Sequence, residues 1–264
     1  GYRFFSDRED FEDALVKLYE DEVLDAIKTS GLCATVLTQV SDVEDETNGL
    51  LTYDRRVCKV DKKRIKELSD EIYSELTFGN EKHVSIASID GMLERCVVVN
   101  GFSKAYAMTG WRIGFIAAAE WIVKGCNKLQ GQYTSGPCSV SQMASLEAYT
   151  GSQEPVEEMR QAFQRRRDLI VKLAKEIPGL EVNVPEGAFY LFPKCSSFYG
   201  KSYNGTVIND SDDLAMYLLT EAHVAAVGGT SFGAPECFRM SYATSDENII
   251  EAIRRIKEAL AKLK

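Results

Sequence analysis

One segment of this 264-residue chain concentrates groups able to do chemistry: Asn100–Gly114, NGFSKAYAMTGWRIG. The apolar run before it, Arg95–Asn100, ends at a small-residue turn that presents Lys104 at the carboxyl edge of a sheet, where open α/β sheets hold their ligands. A lysine partly desolvated at such an edge is an amine nucleophile toward a carbonyl. Ser103 adds a hydroxyl beside it, and Arg112 a planar cation suited to phosphate. The plainer reading is a loop lysine at the surface and an arginine in a sheet salt bridge. Upstream, Asp70-Glu71-Ile72-Tyr73 sets an acid and a phenol three residues apart, a string that a capped turn explains by default. Downstream, Arg239 sits inside the short apolar run Phe238–Ala243. A buried guanidinium needs an anion, so Arg239 is either half of a structural ion pair or a receptor for a carboxylate.

These groups need elements to carry them, and from residue 69 onward the pattern alternates strand and helix. Arg95–Asn100 and Trp111–Ala118 read as strands, Gln142–Tyr149 and Glu154–Ile177 as helices. Strands are expected at Leu180–Val184, Ala188–Phe192, Val224–Val227 and Phe238–Ala243, with a helix at Asp212–His223 between them. Thr244 and Glu247 fit a capping box opening a closing helix, Ser245–Leu263, whose stripe is Ile249, Ile253, Ile256, Leu260 and Leu263. The first 68 residues differ in character. Ser6 and Glu9 suggest a capped helix running to about Ser30, Leu32–Val40 and Leu50–Val60 suggest strands around the acidic loop Ser41–Asn48, and Asp61–Leu68 suggests a short charged helix. The fold class is α/β, with an α+β lobe beginning near residue 150. Three stretches follow: 1–68 as an acidic segment of unassigned role, 69–150 as part of a large domain, and 151–264 as a small domain.

Composition excludes several classes of function. Hydrophobic residues make up 45% and charged residues 27%, as in ordinary globular proteins. With 31 basic and 40 acidic side chains, the chain is a poor partner for a nucleic-acid backbone. No run reaches the roughly 18 apolar residues of a membrane span, and the opening GYRFFSDRED lacks the order of a secretory signal. Seven cysteines, odd in number and never spaced C-x-x-C, argue against a disulfide framework or structural zinc and for a reducing cytoplasm. Only His83 and His223 are present, too few for a histidine-rich metal site, and both read as helix-end or loop residues. Cys96 and Cys126 read as core fillers.

In order along the chain, SDEIY, NGFSKAYAMTGWRIGF, PEGAFYLFP, GTSFG and FRMSYA resemble the fold-type I pyridoxal-phosphate-dependent aminotransferases of the aspartate/aromatic group. The resemblance covers residues 69–264. It implies a pyridoxal-phosphate-dependent transferase large domain, incomplete in this chain, with a C-terminal small domain. It further implies that Lys104 forms an aldimine with pyridoxal 5'-phosphate and shuttles the substrate's α-proton. By the same resemblance Asp70 pairs with the ring nitrogen, Tyr73 with the ring oxygen, and Ser103 and Arg112 with the phosphate, while Arg239 receives the substrate's carboxylate. Gly187-Ala188-Phe189 and Gly229–Gly233 resemble the family's small-lobe strand and turn, where backbone approaches substrate, and Gln130–Pro137 a loop that reaches the partner subunit of a homodimer. The implied reaction moves an amino group between a small amino acid and a 2-oxo acid by a ping-pong route. Residues 1–68 hold no Asn-Pro-x-x-Pro-Thr-Gly segment, and no apolar strand is expected ahead of Asp70. The alternative is therefore a non-catalytic, aminotransferase-derived protein whose N-terminal half is lost or replaced and which acts as a binding or assembly module.

Overall fold

The computed structural model describes residues 67–79, 82–133 and 135–264. The helix from Ser6, the strands at 32–40 and 50–60 and the acidic loop expected in the first part of the chain lie outside the described residues. The chain divides into two compact units: the described residues through Ser74 with His83–Gly151, and Glu75–Lys82 with Ser152–Lys264.

In the first unit three strands form one sheet: β1 (Glu67–Asp70), β2 (Cys96–Gly101) and β3 (Gly114–Ala118), in that order. β1 runs parallel to β2, pairing Glu67 with Cys96 and Asp70 with Val99, while β3 returns antiparallel, closing on the pair Gly101 and Gly114. β1 corrects the expectation of a charged helix through Leu68. Its strand character comes from pairing with the valine-rich β2, a non-local preference that outweighs local composition. Glu67 and Ser69 face inward and Asp70 outward, the alternation of a strand.

Helix α1 (Glu120–Tyr133) was not legible, because Gly125 and Gly131 weaken its helical signal. It takes Gln130–Tyr133 out of the loop expected at 130–137. Cys126 lies exposed on it and is no core filler, whereas Cys96 is buried in β2. Helix α2 (Ser139–Thr150) starts three residues before the expected Gln142 and is tied down by Ser141, whose hydroxyl donates to the Trp111 carbonyl at 2.9 Å.

In the second unit, α3 (Glu154–Ala174) buries Phe163, Ile170, Val171 and Ala174 and packs against α5 (Asp246–Leu260). A three-stranded antiparallel sheet, in the order β4 (Tyr190–Leu191), β8 (Phe238–Ser241), β7 (Val227–Gly228), forms its centre. A two-residue hairpin, β5 (Ser202–Tyr203) with β6 (Thr206–Val207), lies outside it. The strands are shorter than expected: 180–184 contributes only a single bridge from Glu181 to Lys194, and 224–227 only Val227, the first residue of β7. Helix α4 (Ser211–Tyr217) is capped by Asp210, which accepts from the Asp212 and Asp213 N–H groups. It continues as a wider turn, Leu218–Ala222, that stops at His223 in a left-handed conformation. The stripe of α5 is buried as its spacing implies, from Ile249 through Leu263. Its cap is Ser245, accepting from the Asn248 N–H, one residue later than the Thr244 expected; Thr244 instead accepts from the Asn248 side chain. No described helix is long and apolar enough to cross a membrane.

Candidate functional site

Because β1 and β2 are parallel, their carboxyl ends share one sheet edge. Asp70 ends β1, exposed, and its carboxylate accepts from the Ile72 N–H at 3.1 Å, the capped turn that the string suggested. Tyr73 follows in that turn. From β2 the chain enters the loop Phe102–Ile113 before returning as β3, and this loop carries Ser103, Lys104 and Arg112. The Gly101–Gly114 pair closes its neck: a Cβ on Gly114 would stand 2.9 Å from the Asn100 carbonyl oxygen, and one on Gly101 would stand 3.0 Å from the Gly114 Cα. Gly101 and Gly114 are thus fixed by strand register, whereas Gly110 lies in a short turn within the loop.

Inside the loop the Phe102 carbonyl accepts from the N–H groups of Tyr106 and Met108, and the side chains of Phe102, Ala105 and Met108 are buried. The Phe102 ring lies 5.2 Å from that of Tyr149 and 5.5 Å from that of Tyr106. Two non-glycine residues, Ala107 and Arg112, hold left-handed backbone conformations with φ of 52° and 51°, a cost that surrounding packing must offset. Anchored in this way, Ser103 and Lys104 are half-buried, and the Lys104 ammonium lies 5.8 Å from the centre of the Tyr73 ring. Arg112 is exposed, and its guanidinium donates to the Thr109 carbonyl at 3.0 Å. Asp70, Tyr73, Ser103 and Lys104 therefore lie on segments that leave one sheet edge, Lys104 and Tyr73 close together, with Arg112 at the far end of the Lys104 loop.

Two further residues of this edge were not singled out in the sequence. Asn100 donates to the Ser74 hydroxyl at 3.3 Å, linking the end of β2 to the turn that holds Tyr73. Glu71 is buried and accepts from His83, Ser85 and the Ile86 N–H. Burial raises the pKa of its carboxyl, but those donors outweigh it and the net shift is downward, so Glu71 is ionised at neutral pH. A glutamate beside Ser69, in a stretch with Ser85 and His83 and little opposing charge, was the available signal.

Arg239 belongs to the second unit. It stands opposite Val227 on β8, whose Phe238 and Met240 point into the core, so Arg239 faces the other way and is half-buried. Its guanidinium lies 4.4 Å from the Tyr190 ring centre and 4.3 Å from that of Phe232, in cation–π contact with both. Of the two readings open in the sequence, the structural ion pair is not found among the described residues. The small residues nearby serve backbone packing: the Ala188 N–H donates to the Leu76 carbonyl at 2.8 Å, and Gly229 lies against the Ala234 and Cys237 carbonyls.

The family model for aminotransferase class I and II matches residues 54–256, reaching back beyond residue 69, where the sequence blocks begin. The chain belongs to this family. It is 46% identical over 206 residues to the bifunctional aspartate aminotransferase and glutamate/aspartate-prephenate aminotransferase of Petunia hybrida, covering 76% of this chain and 43% of that one. It is 46% identical over 196 residues to the aspartate aminotransferase of Bacillus subtilis, covering 74% and 49% respectively. Among solved structures, the aspartate aminotransferase from Rhizobium meliloti superposes with a TM-score of 0.73 at 42% identity, over 76% of this chain and 51% of that one. The chain spans about half the length of the relatives it matches.

The class I and II aminotransferases depend on pyridoxal phosphate, and the donor set at the sheet edge fits that cofactor in kind. The cofactor carries a ring nitrogen, a ring hydroxyl, an aldehyde and a phosphate. The edge offers a carboxylate at Asp70, a phenol at Tyr73, an amine at Lys104 and a hydroxyl at Ser103.

Proposed function

We propose that this chain is a pyridoxal-phosphate-dependent aminotransferase that moves an amino group between a small amino acid and a 2-oxo acid. The observation that carries this reading is the convergence of the Lys104 ammonium and the Tyr73 ring at the carboxyl edge shared by β1 and β2, in a chain of this family. When bound, the cofactor supplies an electron sink for charge developing at the substrate's α-carbon. Lys104 would hold it through the side-chain amine and would carry the α-proton. Asp70 would keep the ring nitrogen protonated, Tyr73 would donate to the ring oxygen, and Ser103 and Arg112 would hold the phosphate.

Arg239 receives the substrate carboxylate, its guanidinium held against the rings of Tyr190 and Phe232. Aspartate is the first donor to try, since the relatives from Petunia hybrida and Bacillus subtilis are named for it. Residues 69–150 would supply part of the cofactor-binding domain and 151–264 the small domain, working as a homodimer in a reducing cytoplasm. The non-catalytic alternative gains nothing from relatives named as aminotransferases.

The test is amino transfer from aspartate to a 2-oxo acid by the full 264-residue chain supplied with pyridoxal phosphate. Lys104→Ala is expected to lower the rate by about 10⁴-fold, the upper end for loss of a positioned acid–base group. Transfer that survives in Lys104→Ala would overturn the proposal.

A further inference from the structure

Between the two side chains assigned to the cofactor ring, Asp70 and Tyr73, lies a carboxylate that the proposed function leaves without a task. Glu71 is 6% exposed, and its carboxylate collects four donors. Oε1 accepts from Ser85 Oγ at 2.8 Å, the Ile86 N–H at 3.1 Å and Ser69 Oγ at 3.3 Å, and Oε2 pairs with His83 Nε2 at 3.0 Å. Its backbone is fixed as well: the Glu71 N–H donates to the Val99 carbonyl at 2.8 Å, and the Ser74 N–H donates to the Glu71 carbonyl at 2.9 Å. Glu71 is thus the residue at which β1 stops being a strand and the Asp70–Tyr73 turn begins.

The network is fully connected. Ser85 caps the short helical turn Ile86–Ser88, accepting from the Ala87 N–H while donating to Glu71, so the carboxylate rests at the start of that turn. A buried charge is costly unless paired and hydrogen-bonded, and here each carboxylate oxygen has a donor.

Serine, histidine and a carboxylate in contact raise the question of a nucleophile. The order of contacts does not make a triad, because Ser85 and His83 each bond to Glu71 and no imidazole stands between the serine and the carboxylate. A metal site is equally unsupported: no described group of three or more His, Cys, Asp or Glu could hold one. What the network does is fix direction. With Glu71 pinned on the inner side, its neighbours are left to project from the sheet edge: Asp70 is exposed, and Tyr73 lies near the Lys104 ammonium.

We propose that Glu71, held by His83 and Ser85, is a positioning residue that sets the angle at which Asp70 and Tyr73 meet the cofactor ring. This rests on the proposed function for the identity of the ligand, but not for the effect on Tyr73 itself. His83 is the part of the network open to change without opening the core, since its side chain is 30% exposed and that of Glu71 only 5%.

The experiment uses the full chain labelled with 3-fluorotyrosine, with the Tyr73 fluorine line assigned by Tyr73→Phe. In cofactor-free protein, His83→Gln is expected to shift or broaden the Tyr73 line and leave the other tyrosine lines in place. Pyridoxal phosphate should then bind about tenfold more weakly, the loss of one charge-assisted hydrogen bond. Asp70→Asn should weaken binding by less in the His83→Gln background than in the parent. Glu71→Gln should move the same line further.

A Tyr73 line unchanged in both variants would overturn the positioning role. So would a shift of every line together with a lowered melting temperature, which would mark simple support of the fold. A parent chain that binds no pyridoxal phosphate would contradict the proposed function while leaving the Tyr73 line to decide the positioning role.

Discussion

The two cations on which the proposed function depends are held in opposite ways. Lys104 sits in a loop outside the strand ladder, shaped by its backbone through two left-handed residues, a Gly–Gly neck and carbonyl contacts at Phe102, and anchored by buried Phe102, Ala105 and Met108. Arg239 sits on a regular strand whose backbone asks nothing unusual, and its guanidinium rests against side chains, the rings of Tyr190 and Phe232. A loop of the first kind can bring several reactive groups to one edge but tolerates little change in its small residues. A strand of the second kind presents a single group rigidly and depends on its aromatic neighbours.

This contrast can be broken from either side. Truncating the guanidinium should act on substrate binding alone. Arg239→Leu is expected to raise KM for the amino acid by about 100-fold through loss of a charged, bidentate contact. The melting temperature should hardly move, because Arg239 lies off the core face. A KM left unchanged would remove Arg239 from substrate recognition.

The loop should answer in the reverse sense. Gly114→Ala drives a methyl toward the Asn100 carbonyl oxygen and is expected to cost about 2 kcal/mol of stability, as overpacking does, seen as a lower melting temperature in cofactor-free protein. An alanine accepted there without loss would show that the neck is not set by close backbone approach.

How far the sequence foretold these regions follows the same division. Lys104, Ser103 and Arg112 were legible because they fall in one short loop whose two ends, Gly101 and Gly114, are joined by strand register, so the motif is continuous in sequence. Helix α5 was legible because its isoleucines repeat at the helical period and both Thr244 and Ser245 are capping types, which also explains the one-residue slip in its cap. β1 was hidden, since Glu67 and Leu68 become strand only by pairing with Cys96 and Val97. Glu71 was hidden because its burial depends on how Ser85 and Ile86 fold back over it. The ring contacts of Arg239 were hidden for a related reason: Tyr190 is far from it in sequence and meets it only through the antiparallel pairing of β4 and β8.

The central claim is that the loop between β2 and β3 holds Lys104 as the residue that joins the cofactor. The most direct measurement is borohydride reduction of the full chain after incubation with pyridoxal phosphate, followed by peptide mass mapping. The expected result is one reduced adduct, on Lys104, preceded by a visible absorbance band. An adduct spread over surface lysines, or no band, would contradict it.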